Sequence, residues 1–200
     1  VGVRHRGVSG YHANFQGQGG HSSNADCMPK PITILARLAV ELDDLGQRYV
    51  SHGPDDMKGI CMNVAVLEGG VSFNVVPDAA TLTWSIRPPH GFDQDTFDQE
   101  IKVAIENINP AITLTRQLHN PPFSTIHLAP FEQMLESHIQ GFVPLQFWTE
   151  AAILSDAGIN AVVIGPGNIA QAHGADEWVS RDDLKWAVTL FTHIFKDTLQ

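Results

Sequence analysis

The chain has 200 residues, 43% hydrophobic and 17% charged, a composition that supports a buried core in one large domain or two small ones. Its 12 basic and 22 acidic side chains give a formal net charge of -10, which repels phosphate backbones and anionic lipid heads and so argues against nucleic-acid and membrane partners. There is no apolar run of about eighteen residues, and Cys27 and Cys61 form no CxxC pair. The cysteines read as small buried thiols of a reducing compartment, with the cytoplasm as the expected location. Val1 to His5 has neither a signal pattern nor an initiating methionine, consistent with a missing upstream segment or with simple loss of that methionine.

Val8 to Phe15 mixes β-branched and aromatic residues and then breaks into GQGGHSS at Gly17 to Ser23, as a strand entering a loop does. From Pro29 to Gly46, Ile32, Leu35, Leu38, Leu42 and Leu45 fall on one helical face, with prolines in front and Gly46 as the expected stop. Ile60 to Leu67 predicts a strand. The Gly69-Gly70 pair would turn it into Ser72 to Val76, most simply as a hairpin. Thr81 to Arg87 alternates, with Leu82, Trp84 and Ile86 on one face, so Arg87 faces away from the core. Asp93 to Asn107 predicts a second amphipathic helix, capped by Asp93 or Asp95, and Ala111 to Arg116 a closing strand. Strand, helix, strand, strand, helix, strand is the βαββαβ order of ferredoxin-like domains, one sheet with helices on one face.

Leu118 to Thr125, with Pro121-Pro122, reads as a linker, which puts a domain boundary near Leu118. Beyond it, Pro130 to Ile139 predicts a helix closed by Gly141, and Thr149 can cap another running to Gly158. Ala161 to Ile164 predicts a short buried parallel strand ending in Gly165-Pro166-Gly167. Ser180 with Asp183 resembles a capping box opening a last helix whose buried face is Leu184, Val188, Phe191 and Phe195. No internal repeat or low-complexity tract is present. A segment of about eighty residues is small for an independent domain, so it is expected to pack against something else.

The most informative stretch is GPGNIAQAHGADEW, residues 165 to 178: His173 follows a strand end, with Asp176 and Glu177 close behind. A zinc-ligating imidazole needs a carboxylate or carbonyl to fix its tautomer, and these two acids are candidates.

FWTEAAILSDAG at 147–158 and AVVIGPGNIAQAHGADEW at 161–178 resemble the closing part of the catalytic domain of acetylornithine deacetylases and their relatives: acetylcitrulline deacetylases, succinyl-diaminopimelate desuccinylases, aminoacylases and glutamate carboxypeptidases. GQGGHSS, FNVVP and SIRP resemble their lid domain, so the resemblance covers essentially the whole chain. It implies an α/β protein: residues 1–7 end a catalytic-domain segment, 8–117 form a ferredoxin-like lid and dimerisation domain, and 118–200 are the carboxy-terminal part of a zinc-peptidase-like catalytic domain. It also implies a homodimer paired through the lid that hydrolyses an N-acetyl amino acid, acetylornithine-like, to acetate and the free amino acid. The family holds two zinc ions per complete subunit, with cobalt as an alternative. By residue, the resemblance makes His173 the last metal ligand and His21 the lid histidine that reaches across the dimer to the tetrahedral oxyanion. Asn74 and Arg87 would hold the substrate carboxylate, and Thr149 and Gly167 would line the pocket. In that chemistry zinc lowers the pKa of a bridging water and a glutamate takes its proton.

The residues alone leave blander readings open. His21 is also a polar loop residue, Arg87 a solvated sheet residue, Asn74 a satisfier of backbone groups, and His5, His12, His52 and His193 structural or surface histidines. The family's His-x-Asp motif, bridging aspartate and paired glutamates have no counterpart between Val1 and Gln200. One histidine cannot hold two zinc ions. The expectation is therefore either a lost amino-terminal half or a non-catalytic interaction module that keeps the pairing domain. An RNA-binding ferredoxin-like domain would need basic residues on its sheet, and the acidic balance argues against it.

Overall fold

The computed structural model describes residues 1–135 and 137–198. Strand β1 (Gly2–His5) leads into β2 (Val8–Gln16), and β3 (Gly20–His21) and a 3-10 turn (Ser22–Cys27) precede α1 (Pro31–Arg48). Then come β4 (Asn63–Gly69), β5 (Val75–Val76), β6 (Ala79–Ile86), α2 (Gln94–Ile108) and β7 (Thr113–Asn120). The second half holds β8 (Phe123–Ser124), α3 (Ala129–Leu135), β9 (Val143–Leu145), α4 (Ala151–Asp156) and α5 (Arg181–Thr198).

The main sheet has the order β4-β6-β2-β7, every neighbour antiparallel, which is the ferredoxin-like arrangement. Period-two alternation in β2 and β6 turns Tyr11, Ala13, Phe15, Leu82, Trp84 and Ile86 to one face. There they meet the stripe Leu35, Leu38, Leu42 and Leu45 of α1 and Phe97, Ile101, Ala104 and Ile105 of α2. Full burial of each such leucine contributes about 1.5–3 kcal/mol. Pro31 presets φ at the start of α1. At the start of α2, Asp93 is the cap: its carboxylate accepts from the Thr96 amide at 3.0 Å and the Thr96 hydroxyl at 2.6 Å, and these bonds hold its pKa below the usual value.

Several expectations are corrected. Gly46 does not stop α1, which continues to Arg48; it is buried because Met62 lies against it, and a Cβ there would sit 2.5 Å from Met62 Cβ. The hairpin partner of β4 is β6. The short β5 leaves the sheet and pairs with β3 instead, since the edge of the long β6 is already taken by β4. The last strand of the sheet starts later and runs on to Asn120, because the Ala111 amide is turned onto Asn109 Oδ1 at 2.9 Å and Val8 then pairs with Asn120. It therefore passes through the expected linker at Leu118. Both cysteines are exposed rather than buried.

In the second half β1 is the central strand of β8-β1-β9, antiparallel to β8 and parallel to β9. Phe123, Ala151 and Ala152 form a small core with Trp148, Ala161 and Val163. Ala161 to Ile164 is not a buried parallel strand: a single antiparallel bridge joins Val163 to Gly2, with N–O distances of 2.7 and 2.8 Å. The cap position of α4 is Glu150, not Thr149, whose hydroxyl lies against His5. Helix α3 ends at Leu135, and residue 136 of the predicted helix lies outside the described residues. Ser180 Oγ does accept from the Asp183 amide at 2.9 Å. Among the described side chains of α5 the buried ones are Ala187 and Leu190, however, while Phe191 is half-buried and Leu184, Val188 and Phe195 are 45%, 67% and 65% exposed. No layer of the described residues covers that face.

Candidate functional site

Beyond one end of the four-stranded sheet lies one cluster. His21 in β3 pairs with Val75 in β5, and the next amide, Ser22 N–H, donates to Asn74 O at 3.0 Å, so His21 and Asn74 are held side by side. The Ser23 amide and hydroxyl donate to His21 Nδ1 at 3.2 and 2.9 Å. A neutral ring then carries its proton on Nε2, a free donor on an exposed side chain. Ser72 Oγ donates to Asn74 Oδ1 at 2.7 Å, which orients the amide and leaves its NH2 group as a donor. The same loop exposes Val71 by 91% and Phe73 by 99%. Gly19 enters the cluster at φ +65, and a Cβ there would lie 3.0 Å from Asp78 Cβ.

Arg87 follows β6 at the opposite end. Its amide donates to Ile60 O at 2.6 Å and its carbonyl accepts from Arg6 at 3.2 Å, while its exposed guanidinium has no hydrogen bond or ion pair among the described residues. From Ala79 to Arg87 the chain covers about 26 Å at roughly 3.3 Å per residue. His21 and Asn74 therefore cannot share a small-molecule site with Arg87 inside one chain. Near Arg87, at the junction of the two halves, His5 is fully buried and contacts Thr149: the Thr149 amide donates to His5 Nε2 at 3.0 Å and the Thr149 hydroxyl lies 3.0 Å from the same nitrogen.

Gly167, at φ +92, helps line a cleft of about 470 Å³ together with Phe147, Ile164, Ile169, Glu177 and Trp178. Asn168 and Gln171 close its floor with a reciprocal cap, Asn168 Oδ1 accepting from the Ala170 amide at 2.9 Å and Gln171 Oε1 from the Asn168 amide at 3.1 Å. His173 stands at φ +60 and is exposed, just outside the cleft lining. Neither Asp176 nor Glu177 hydrogen bonds to it among the described residues, so the expected carboxylate support is not made. Among the described residues no group of three His, Cys, Asp or Glu side chains could hold a metal ion, and the donors they present do not fit a dinuclear centre.

The structure thus joins His21 with Asn74, and Arg87 with Thr149 by way of Arg6 and His5, and leaves Gly167 and His173 on a third loop. Sequence reasoning set His5 aside as structural. The signal for more was the parity of β1, where Val3 and His5 both face inward and a histidine is sent into a core.

Residues 3–113 match the peptidase dimerisation domain family. An N-acetyl-L-citrulline deacetylase of Xanthomonas campestris is 27% identical over 190 residues, covering 92% of this chain and 52% of its own length. An acetylornithine deacetylase of Vibrio atlanticus is 29% identical over 192 residues, covering 88% of this chain and 50% of its own. The chain spans about half the length of the curated relatives it matches. An aminopeptidase from Bacillus cereus shares the fold with a TM-score of 0.77 at 16% identity, over 99% of this chain and 53% of that one. With the matched segment covering more than half of the chain and its sheet order observed directly, the chain belongs to the M20 peptidase dimerisation-domain family.

Proposed function

We propose that this chain is the lid and dimerisation domain (8–117), with the carboxy-terminal part of the catalytic domain (118–200), of an amidohydrolase that cleaves an N-acetyl amino acid, acetylornithine-like, to acetate and the free amino acid. The observation that carries the reading is the pairing of two polar donors, His21 Nε2–H and the Asn74 amide, at one end of the lid, with the unpaired Arg87 guanidinium at the other. Arg87 is a planar fork suited to a substrate carboxylate. His21 is a donor for the oxyanion that forms as the amide carbonyl is attacked, and loss of one such donor lowers turnover by about 10²–10³-fold. The separation along β6 supports a homodimer in which His21 and Asn74 of one chain meet Arg87, Thr149 and Gly167 of another.

Zinc belongs to this proposal only in part. His173 would supply one ligand, and the remaining ligands and the proton-accepting glutamate would lie outside residues 1–200. Because the donors present do not form a site, no step is assigned to a metal on this chain. No helix among the described residues is long and apolar enough to cross a membrane. A cytoplasmic location is proposed on the two exposed, unpaired cysteines.

A second reading, a pairing module without chemistry, is favoured by the absence of a three-ligand cluster among the described residues. Intact mass and metal content of the native protein separate the two. A mass near twice the 21.9 kDa of this chain, about two zinc ions per chain, acetate release from N-acetylornithine and loss of zinc in His173→Ala support the enzyme. A 21.9 kDa protein without zinc, inert with any added metal, supports the module.

A further inference from the structure

The proposed chemistry uses His21 and His173 of the ten histidines, and of the others His5 is the one that is buried. It is wholly buried between Phe123, with ring centroids 5.2 Å apart, and Trp148, at 6.1 Å. An apolar side chain would fill such a cage as well. What the histidine adds is an acceptor: Thr149 N–H donates to Nε2, so the ring proton sits on Nδ1 and is donated to Arg6 O at 2.9 Å. The one lone pair on Nε2 faces both the amide and the hydroxyl of Thr149, so that residue is held by backbone and side chain together.

The neighbouring residues grip the other half. The Arg6 guanidinium donates to Lys58 O at 2.6 Å, to Arg87 O at 3.2 Å and to Gly59 O. The Gly7 amide donates to Pro88 O at 2.8 Å, and a Cβ on Gly7 would lie 2.8 Å from Asn120 O, so the backbone passes through a gap with no spare room. Three consecutive residues therefore fasten Thr149 on one side and Arg87 with its lid loop on the other.

We infer that His5 is a positioning residue that, with Arg6, fixes Thr149 relative to Arg87 across the lid junction, so that one N-acyl amino acid spans both. This rests on the proposed function, which makes Thr149 and Arg87 substrate contacts. The effect of His5 falls on substrate binding, since it touches neither the scissile bond nor His21.

The test uses the native enzyme and two polar variants. In His5→Gln, Oε1 can take the place of Nε2 as acceptor for Thr149. In His5→Asn, Nδ2 takes the place of Nδ1 as donor to Arg6 O, and the shorter side chain cannot reach Thr149. His5→Asn is expected to raise KM for N-acetylornithine about tenfold with kcat within about twofold, and His5→Gln to stay within about threefold of wild type. Exchange of the Thr149 amide hydrogen is expected to speed up about tenfold in His5→Asn and not in His5→Gln. An unchanged KM in His5→Asn, or equal KM in the two variants, overturns the inference. A fall in kcat that tracks lost folded fraction, with KM unmoved, overturns it too. Arg87→Ala and Thr149→Val serve as controls. If they raise KM and His5→Asn does not, this inference alone fails; if neither raises KM, the proposed substrate pocket fails and takes the inference with it.

Discussion

Two inactive chains are expected to restore activity when combined, provided that they carry different lesions. In His21→Ala the proposed oxyanion donor is lost, lowering turnover by about 10²–10³-fold. In Arg87→Ala the carboxylate partner is lost, at about 2–5 kcal/mol for an ion pair truncated on one side. If, as proposed, the roughly 26 Å run from Ala79 to Arg87 keeps His21 and Arg87 apart within one chain, each site draws His21 from one chain and Arg87 from the other. A mixed dimer then has one site with both groups and one with neither. Random pairing of equal amounts makes about half of the dimers mixed, so the preparation should reach about one quarter of wild-type activity per chain. Co-expression with two different tags, purification of the doubly tagged species and measurement of acetate release would check this, and that species should show about half the wild-type rate. Activity no greater than the sum of the two parent variants would refute the shared site and place both groups in one chain's pocket.

Three further outcomes follow from local structure. Gly46→Ala should destabilise the protein by about 1–2 kcal/mol even though alanine is the better helix former by about 1 kcal/mol, because its Cβ would meet Met62 Cβ at 2.5 Å; a raised urea midpoint would show that Met62 yields freely. Burial, then the 2.6 Å bond to Asp98, pushes the Tyr11 phenol above its ordinary value. Above about pH 10 the unfolded chain therefore binds fewer protons than the folded one, and stability falls as pH rises. Tyr11→Phe should flatten that alkaline loss, and an equal fall in unfolding free energy between about pH 8 and 10.5 in wild type and variant, read from urea midpoints, would contradict it. Phe73→Ser should leave the unfolding midpoint within about 0.5 kcal/mol of wild type, since the side chain is 99% exposed. Its KM should nevertheless rise if the loop beside Asn74 closes over substrate in the partner; an unchanged KM would leave Phe73 outside the shared site.

Much of the dimerisation domain was legible because its information is local. The alternation Leu82, Trp84, Ile86 and the stripe Leu35, Leu38, Leu42, Leu45 each state a period and a buried face within one element, and their order gives the ferredoxin-like plan. The site was legible only as separate motifs: GQGGHSS, FNVVP, SIRP and GPGNIAQAH name residue types without saying which of them meet. Misreadings arose where a residue's neighbour is distant in the chain. Gly46 looks like a helix stop until Met62 is seen against it, and Leu184, Val188 and Phe195 of the α5 face read from periodicity are exposed because burial depends on what is present to cover it.

By itself, then, the sequence determined the elements of the dimerisation domain, their order and the family motifs, all written in patterns of two to four residues. Only the tertiary structure decided that β5 abandons β4 for β3 and so brings Asn74 to His21, that Arg87 lies at the other end of the sheet, and that His5 holds Thr149 across 144 residues of chain. Contacts at such separation are selected by the packing of whole layers and by the need to satisfy every buried donor and acceptor, and no local period encodes them.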